Sequence, residues 1–182
     1  PNTLHIKGET FGHVHFGINY LNNPDSYRLG ERVIVIGAGN AAMDVARTAI
    51  RKGSPYLTCF SLTKKVAASD YEFSYAQLEG VQFEYNKRPL EITDEGVIFI
   101  DVEEHEDGSF TDIEGSAKLY PANSVIISIS QGPQNRIVNT TEGLKATQRG
   151  LLEADETGHT SRPGIFASGD VVNGARTVVE AV

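Results

Sequence analysis

Cysteine is almost missing from this chain. Cys59 is the sole thiol, which excludes an intrachain disulfide framework, a CxxC redox pair and a tetrahedral thiolate metal site. A reducing, cytoplasmic setting suits such a composition. No apolar run approaches the roughly 20 residues that span a bilayer, and no secretory signal opens the sequence, so no membrane role is expected. Basic clusters are lacking too. Sixteen Lys and Arg face 24 Asp and Glu, for a net charge of −8, which argues against a nucleic-acid partner. The chain begins at Pro1 and its only methionine is Met43; the expectation is a piece of a longer polypeptide.

What is present is ordinary globular material: 40% hydrophobic and 22% charged residues over 182 positions. Residues 1 to 30, punctuated by Gly8, Gly12, Gly17, Pro24 and Gly30, show no sustained period and read as a connector with one helical turn near Ile18 to Leu21. Arg32-Val33-Ile34-Val35-Ile36 is a continuous β-branched run, as expected of a parallel strand buried on both faces. From Asn40 to Lys52 the apolar Ala42, Val45, Ala46, Ala49 and Ile50 recur at helical spacing, and Gly53 follows as a C-cap. Tyr56 to Ser61 predicts a second strand. Ser69-Asp70-Tyr71-Glu72 reads as a capping box opening a helix that stops at Gly80.

From Val81 the period falls to two. Strands are expected at Val81 to Tyr85, Val97 to Phe99 and Val125 to Ile129, with turns at Asp94 to Gly96 and Glu106 to Ser109. That order predicts an α/β fold, a Rossmann-like parallel sheet carrying an antiparallel β-meander. Beyond Ser130 a hairpin-like stretch over Asp155 to Arg162, a short strand at Gly164 to Ser168 and a final helix from Thr177 to Val182 are expected.

Chemistry concentrates at Gly37-x-Gly39-x-x-Ala42, between the buried strand and the helix. Gly37 allows a tight turn, Gly39 lets a pyrophosphate approach the backbone, and Ala42 lets helix pack on strand, while the helix N-terminus offers amides and a positive dipole. No acid ends the second strand to take a ribose hydroxyl. Ser61 and Thr63 stand there as phosphate donors, followed by Lys64 and Lys65. The expectation is NADPH over NADH, by about 1–3 kcal/mol for two charge-assisted contacts, roughly tenfold to a hundredfold. Gly169-Asp170 ends the apolar Gly164 to Ser168 segment and reads either as a polyol-binding carboxylate or as a turn Asp.

Two other constellations carry less. His13-x-His15 lacks a third ligand, so no metal site is expected. Glu103-Glu104-His105-Glu106-Asp107 reads as a solvated hairpin tip. No general acid or base is named, because in hydride transfer the cofactors carry the chemistry.

Taken together these residues resemble the small (beta) subunit of glutamate synthase and related NADPH-dependent flavoproteins. Gly37 through Arg47 carries the most specific likeness; Ile6 to Glu9, Gly12 to His15, Ala122 to Gln131, Gly164 to Val172 and Thr177 to Val182 are similar to further family segments. The resemblance implies electron flow from NADPH to FAD. It places Gly37, Ala38, Gly39, Asn40 and Ala41 near the pyrophosphate, with Lys64 or Lys65 near the 2′-phosphate and Gln131 in the turn closing the NADPH domain. Gly169 and Asp170 would meet the FAD ribityl and phosphate, and Thr177 and Val178 the flavin ring.

It also implies three parts: a connector from the FAD domain (1–30), an NAD(P)H-binding domain (31–130) and an incomplete FAD-binding domain (131–182). Leu62 and Thr63 stand where the family carries arginines, Val66-Ala67-Ala68 replaces Met-Pro-Ala, and Ser130 replaces a glycine beside the nicotinamide path. The flavin's own GxGxxG and a cysteine-rich iron–sulfur region are not in this sequence. The isolated chain is therefore expected to hold no flavin and to lack turnover, its partners being those N-terminal regions or a larger synthase subunit. A non-catalytic nucleotide-binding or docking module and a dienoyl-CoA-reductase-like parent are the alternatives.

Overall fold

Two units make up the chain, residues 1–130 and 131–182; the computed structural model describes residues 2–130 and 136–174. In the first unit the elements run β1 (Val14–Phe16), α1 (Gly17–Asn22), β2 (Arg32–Ile36), α2 (Asn40–Arg51), β3 (Tyr56–Phe60), α3 (Asp70–Leu78), β4 (Gln82–Glu84), β5 (Lys87–Thr93), β6 (Gly96–Glu104), β7 (Phe110–Asp112), β8 (Lys118–Pro121) and β9 (Ser124–Ile127). Five strands form a parallel sheet in the order β1-β9-β2-β3-β4. β5 to β8 form the antiparallel meander around β6, which pairs with β8 through its first half and with β7 through its second. The fold is α/β, a Rossmann-like sheet with an appended meander.

The β-branched run explains why β2 lies at the centre. Strand alternation turns Val33 and Val35 toward α1, α2 and α3, and turns Ile34 and Ile36 toward the meander. Both faces are covered, so four of the strand's five residues are buried. On the helical side α2 contributes Ala42, Met43, Val45, Ala46 and Ala49, all fully buried. On the other side Phe60 stacks on Phe99 at 3.9 Å, with Tyr120 edge-on to both.

Several elements depart from the sequence reading. Val14–Phe16 lies in the expected connector yet adds an edge strand, because its backbone pairs in parallel with Val125–Ile127. β4 was expected among the antiparallel strands but pairs in parallel with β3. β5 and β8 have no two-residue apolar period; β5 is rich in charge and bends at a bulge between Pro89 and Glu91. The capping box is half formed. Ser69 Oγ accepts from the Glu72 amide (3.3 Å), but the Ser69 amide donates to Asn40 Oδ1 (2.8 Å), while the Glu72 carboxylate takes Arg47 (2.9 Å).

Arg47 clamps α2 to α3. Its guanidinium reaches Glu72 and Glu79 (3.0 Å) and lies over the Tyr75 ring at 5.3 Å. Hydrogen bonds from Arg51 and then Arg47 hold the Glu79 carboxyl below the usual carboxylate range. Arg47→Met should cost about 2 kcal/mol, since a mostly buried pair loses one partner, and should lower the melting temperature by roughly 4–8 °C. The Glu79 contribution is complete above the ordinary glutamate range and fades as pH falls through the lowered folded-state value. The variant should therefore also show a shallower acid limb in a stability–pH profile.

Cys59 lies in β3 with no exposed surface, and burial pushes its thiol pKa up. A buried, protonated thiol is inert. The native protein should leave a disulfide-exchange reagent unreacted over the hour in which the denatured protein consumes one equivalent.

In the second unit α4 (Arg136–Thr140) and α5 (Asp170–Asn173) are the only regular elements among the described residues. The hairpin-like stretch survives as single bridges, Ala154 to Thr160 and His159 to Phe166. The strand expected at Gly164 to Ser168 is reduced to that last bridge, since no ladder partner extends along it among the described residues. The helix expected from Thr177 lies outside them.

Candidate functional site

The C-terminal end of β2 carries the turn into α2. Gly37 sits at φ 127°, and a Cβ there would lie 2.3 Å from the Ser128 carbonyl oxygen. Only glycine fits, because β9 closes against the turn from the far side. Gly39 is different. Its backbone (φ −88°, ψ 178°) is one any residue adopts, and a Cβ would meet nothing within 4 Å. No element of the fold asks for glycine there. Gly39 is also the N-cap of α2, and no side chain caps that end. The first helical amides have no partner inside the helix and carry the positive end of its dipole.

The turn is braced from outside. Ala38 is buried, and its carbonyl accepts from both the Ala67 and Ala68 amides at 2.9 Å. Asn40, expected beside a pyrophosphate, spends its side-chain oxygen on Ser69 and so ties the start of α2 to the start of α3. Ala41 is exposed in the first helical turn, and Ala42 packs against the sheet. Loop 61–69 is thereby fixed beside the glycine turn.

Within that loop the expected phosphate donors are engaged. Ser61 is only 5% exposed; its hydroxyl pairs with Thr63 Oγ1 (3.1 Å) and lies 3.4 Å from the Lys65 carbonyl. Thr63 Oγ1 donates to the same carbonyl at 2.5 Å. Both hydroxyls shape the loop. Lys64 and Lys65 are exposed, and neither forms an ion pair among the described residues. The Lys64 amide donates to Glu104 Oε2 at 3.0 Å. Glu104 ends β6 and belongs to the acidic run that read as a solvated tip; only the fold brings it here.

Beside Gly37 opens a recess of about 260 Å³, lined by Ile36, Phe60, Leu62 and Ile129 together with Lys87 and Arg88. Sequence reasoning missed these walls, which come from five separate elements and loops. Lys87 is bound to Asp101 and Arg88 to Asp112.

Other expected residues fall elsewhere. In the second unit Gly169 is buried at φ 71° and caps α5, so a helical turn begins at Asp170 itself. Gln131, Thr177 and Val178 lie outside the described residues. His13 Nε2 contacts the Thr93 carbonyl (3.1 Å), whereas His15 packs edge-on against Tyr27. Burial and then His13 lower the His15 pKa. No cluster of three metal-ligating side chains occurs among the described residues, nor any helix long and apolar enough to cross a membrane.

A family model described as pyridine nucleotide-disulphide oxidoreductase matches residues 1–182. The chain is similar to the glutamate synthase [NADPH] small chain of Halomonas elongata, with 32% identity across 97% of this chain and 43% of that protein. It is also similar to the beta subunit of the NADP(+)-dependent formate dehydrogenase of Moorella thermoacetica, at 30% identity over 97% of this chain and 27% of that one. The chain thus spans less than half the length of these relatives. In fold it resembles the crystal structure of T. acidophilum thioredoxin reductase, with a TM-score of 0.75 and 22% identity, covering 99% of this chain and 57% of that one.

Proposed function

The chain belongs to the pyridine nucleotide-disulphide oxidoreductase family, and on that premise we propose that it is the nucleotide-binding portion of a flavoprotein that takes hydride from NADPH and passes electrons to FAD. The observation that carries this reading is Gly39, a glycine that the fold does not need, set at the open N-terminus of α2 with clear space in front of it. A diphosphate there meets main-chain amides and the helix dipole together. The recess beside Gly37 offers apolar walls to one ring of the dinucleotide. Lys64 and Lys65 supply positive charge where the ribose 2′ position falls in this topology.

For FAD, the second unit offers Gly169, whose positive φ lets the backbone turn sharply, and Asp170 directly after it. These two would hold the ribityl and phosphate portion in the whole protein, with the rest of that site supplied by its other domain. When bound, FAD supplies a ring that accepts a hydride and releases its electrons singly or in pairs. This chain's residues bind and orient the nucleotide. The relatives named as small and beta subunits support a larger assembly as the electron acceptor's home.

Titration of the intact protein with NADPH and NADH by calorimetry tests the reading. NADPH should bind with the tighter affinity, by about tenfold, a margin of two exposed lysines. Absence of binding by either nucleotide would sink the proposal, and equal affinities would remove the lysines from it.

A further inference from the structure

We propose that Glu104 is a specificity-determining residue that restrains the preference for a 2′-phosphate, an inference that rests on the nucleotide reading above. In nucleotide-binding folds of this topology the group at the end of the second parallel strand decides between a ribose hydroxyl and a ribose phosphate: a carboxylate takes the first and repels the second. β3 is that strand here, and no acid ends it. The structure supplies one from another element.

Glu104 arrives from the end of β6, and its Oε2 accepts from the Lys64 amide at 3.0 Å. It is half-buried, and Glu104 pairs across the meander with Phe110 of β7, so its backbone is held by a ladder rather than by a loose turn. The receiving loop is equally fixed. Ser61 and Thr63 satisfy their hydroxyls inside it, and Ala67 and Ala68 anchor it to Ala38. The Lys64 amide, at the lysine pair itself, also donates outside the loop, and there its acceptor is an anion of the chain. A 2′-phosphate approaching Lys64 and Lys65 meets this carboxylate as a like charge and competes with it for the amide. A ribose carrying a free 2′-hydroxyl can instead donate to it.

Glu104→Gln isolates the charge, because the amide oxygen can still accept from Lys64 while the repulsion is gone. In the intact protein, calorimetric titration should show the NADPH-to-NADH affinity ratio rising roughly tenfold in the variant, mainly through tighter NADPH binding. The gain should shrink as salt is raised from 50 mM to 500 mM, as a charge effect must. Glu104→Lys should shift the ratio further the same way. If both nucleotides bind and the ratio in Glu104→Gln equals that of the parent, the proposal is overturned and the site stands. If neither nucleotide binds the parent protein, the site reading falls and takes this proposal with it.

Discussion

Gly39→Val should leave the protein folded and lower its pyridine-nucleotide affinity by about a hundredfold. The folded state has room for the new side chain: no heavy atom lies within 4 Å of the Cβ position, and the backbone angles are those of an extended residue. The only stability cost is a poorer N-cap, at most about 1 kcal/mol. Affinity is another matter, because a diphosphate must come within hydrogen-bond distance of the Gly39 to Ala41 backbone. Two branched methyl groups in that approach would remove about two charge-assisted bonds, each worth roughly 1.5 kcal/mol or more. Two such bonds amount to about a hundredfold in affinity. Thermal melting and titration on the same preparation separate the two effects. Unchanged affinity would show that the turn faces no phosphate.

Gly37→Ala should do the reverse and damage the fold itself. Here a Cβ would lie 2.3 Å from the Ser128 carbonyl oxygen, on backbone with φ 127°. The colliding atom belongs to the chain directly after β9, whose amide at Ser128 is hydrogen-bonded to the Ile36 carbonyl (2.9 Å). Nothing flexible can give way. Backbone strain of about 1–3 kcal/mol adds to the cost of parting two central strands; a total of at least about 3 kcal/mol is expected. For a chain of this size that corresponds to a fall of roughly 6–12 °C in melting temperature. A variant melting within 2 °C of the parent would mean that the turn is not packed against β9 as described. Two glycines two residues apart would thus separate stability from binding.

Much of this was readable from local pattern. A run of four β-branched residues, Val33 to Ile36, reports a strand covered on both sides, because both faces of the pleat are then apolar; small residues at helical spacing report a helix pressed on a sheet. The glycine turn between them followed at once. Pairing was not readable in the same way. Val14–Phe16 joins the sheet because β9 leaves an open parallel edge, and β4 pairs with β3 rather than with the meander. Three-residue strands carry too few side chains to announce a face or a partner.

The candidate site divides along the same line. Residues of the site that are neighbours in the chain, from Gly37 to Ala42 and from Ser61 to Lys65, were visible because their function rests on backbone shape and on charge at adjacent positions. Asn40 bracing Ser69, Ser61 closing its own loop and Glu104 taking the Lys64 amide were decided only by the tertiary structure. A hydrogen bond depends on where two atoms lie in space, and residues 40 positions apart, such as Lys64 and Glu104, carry no local sign that the fold will bring them together.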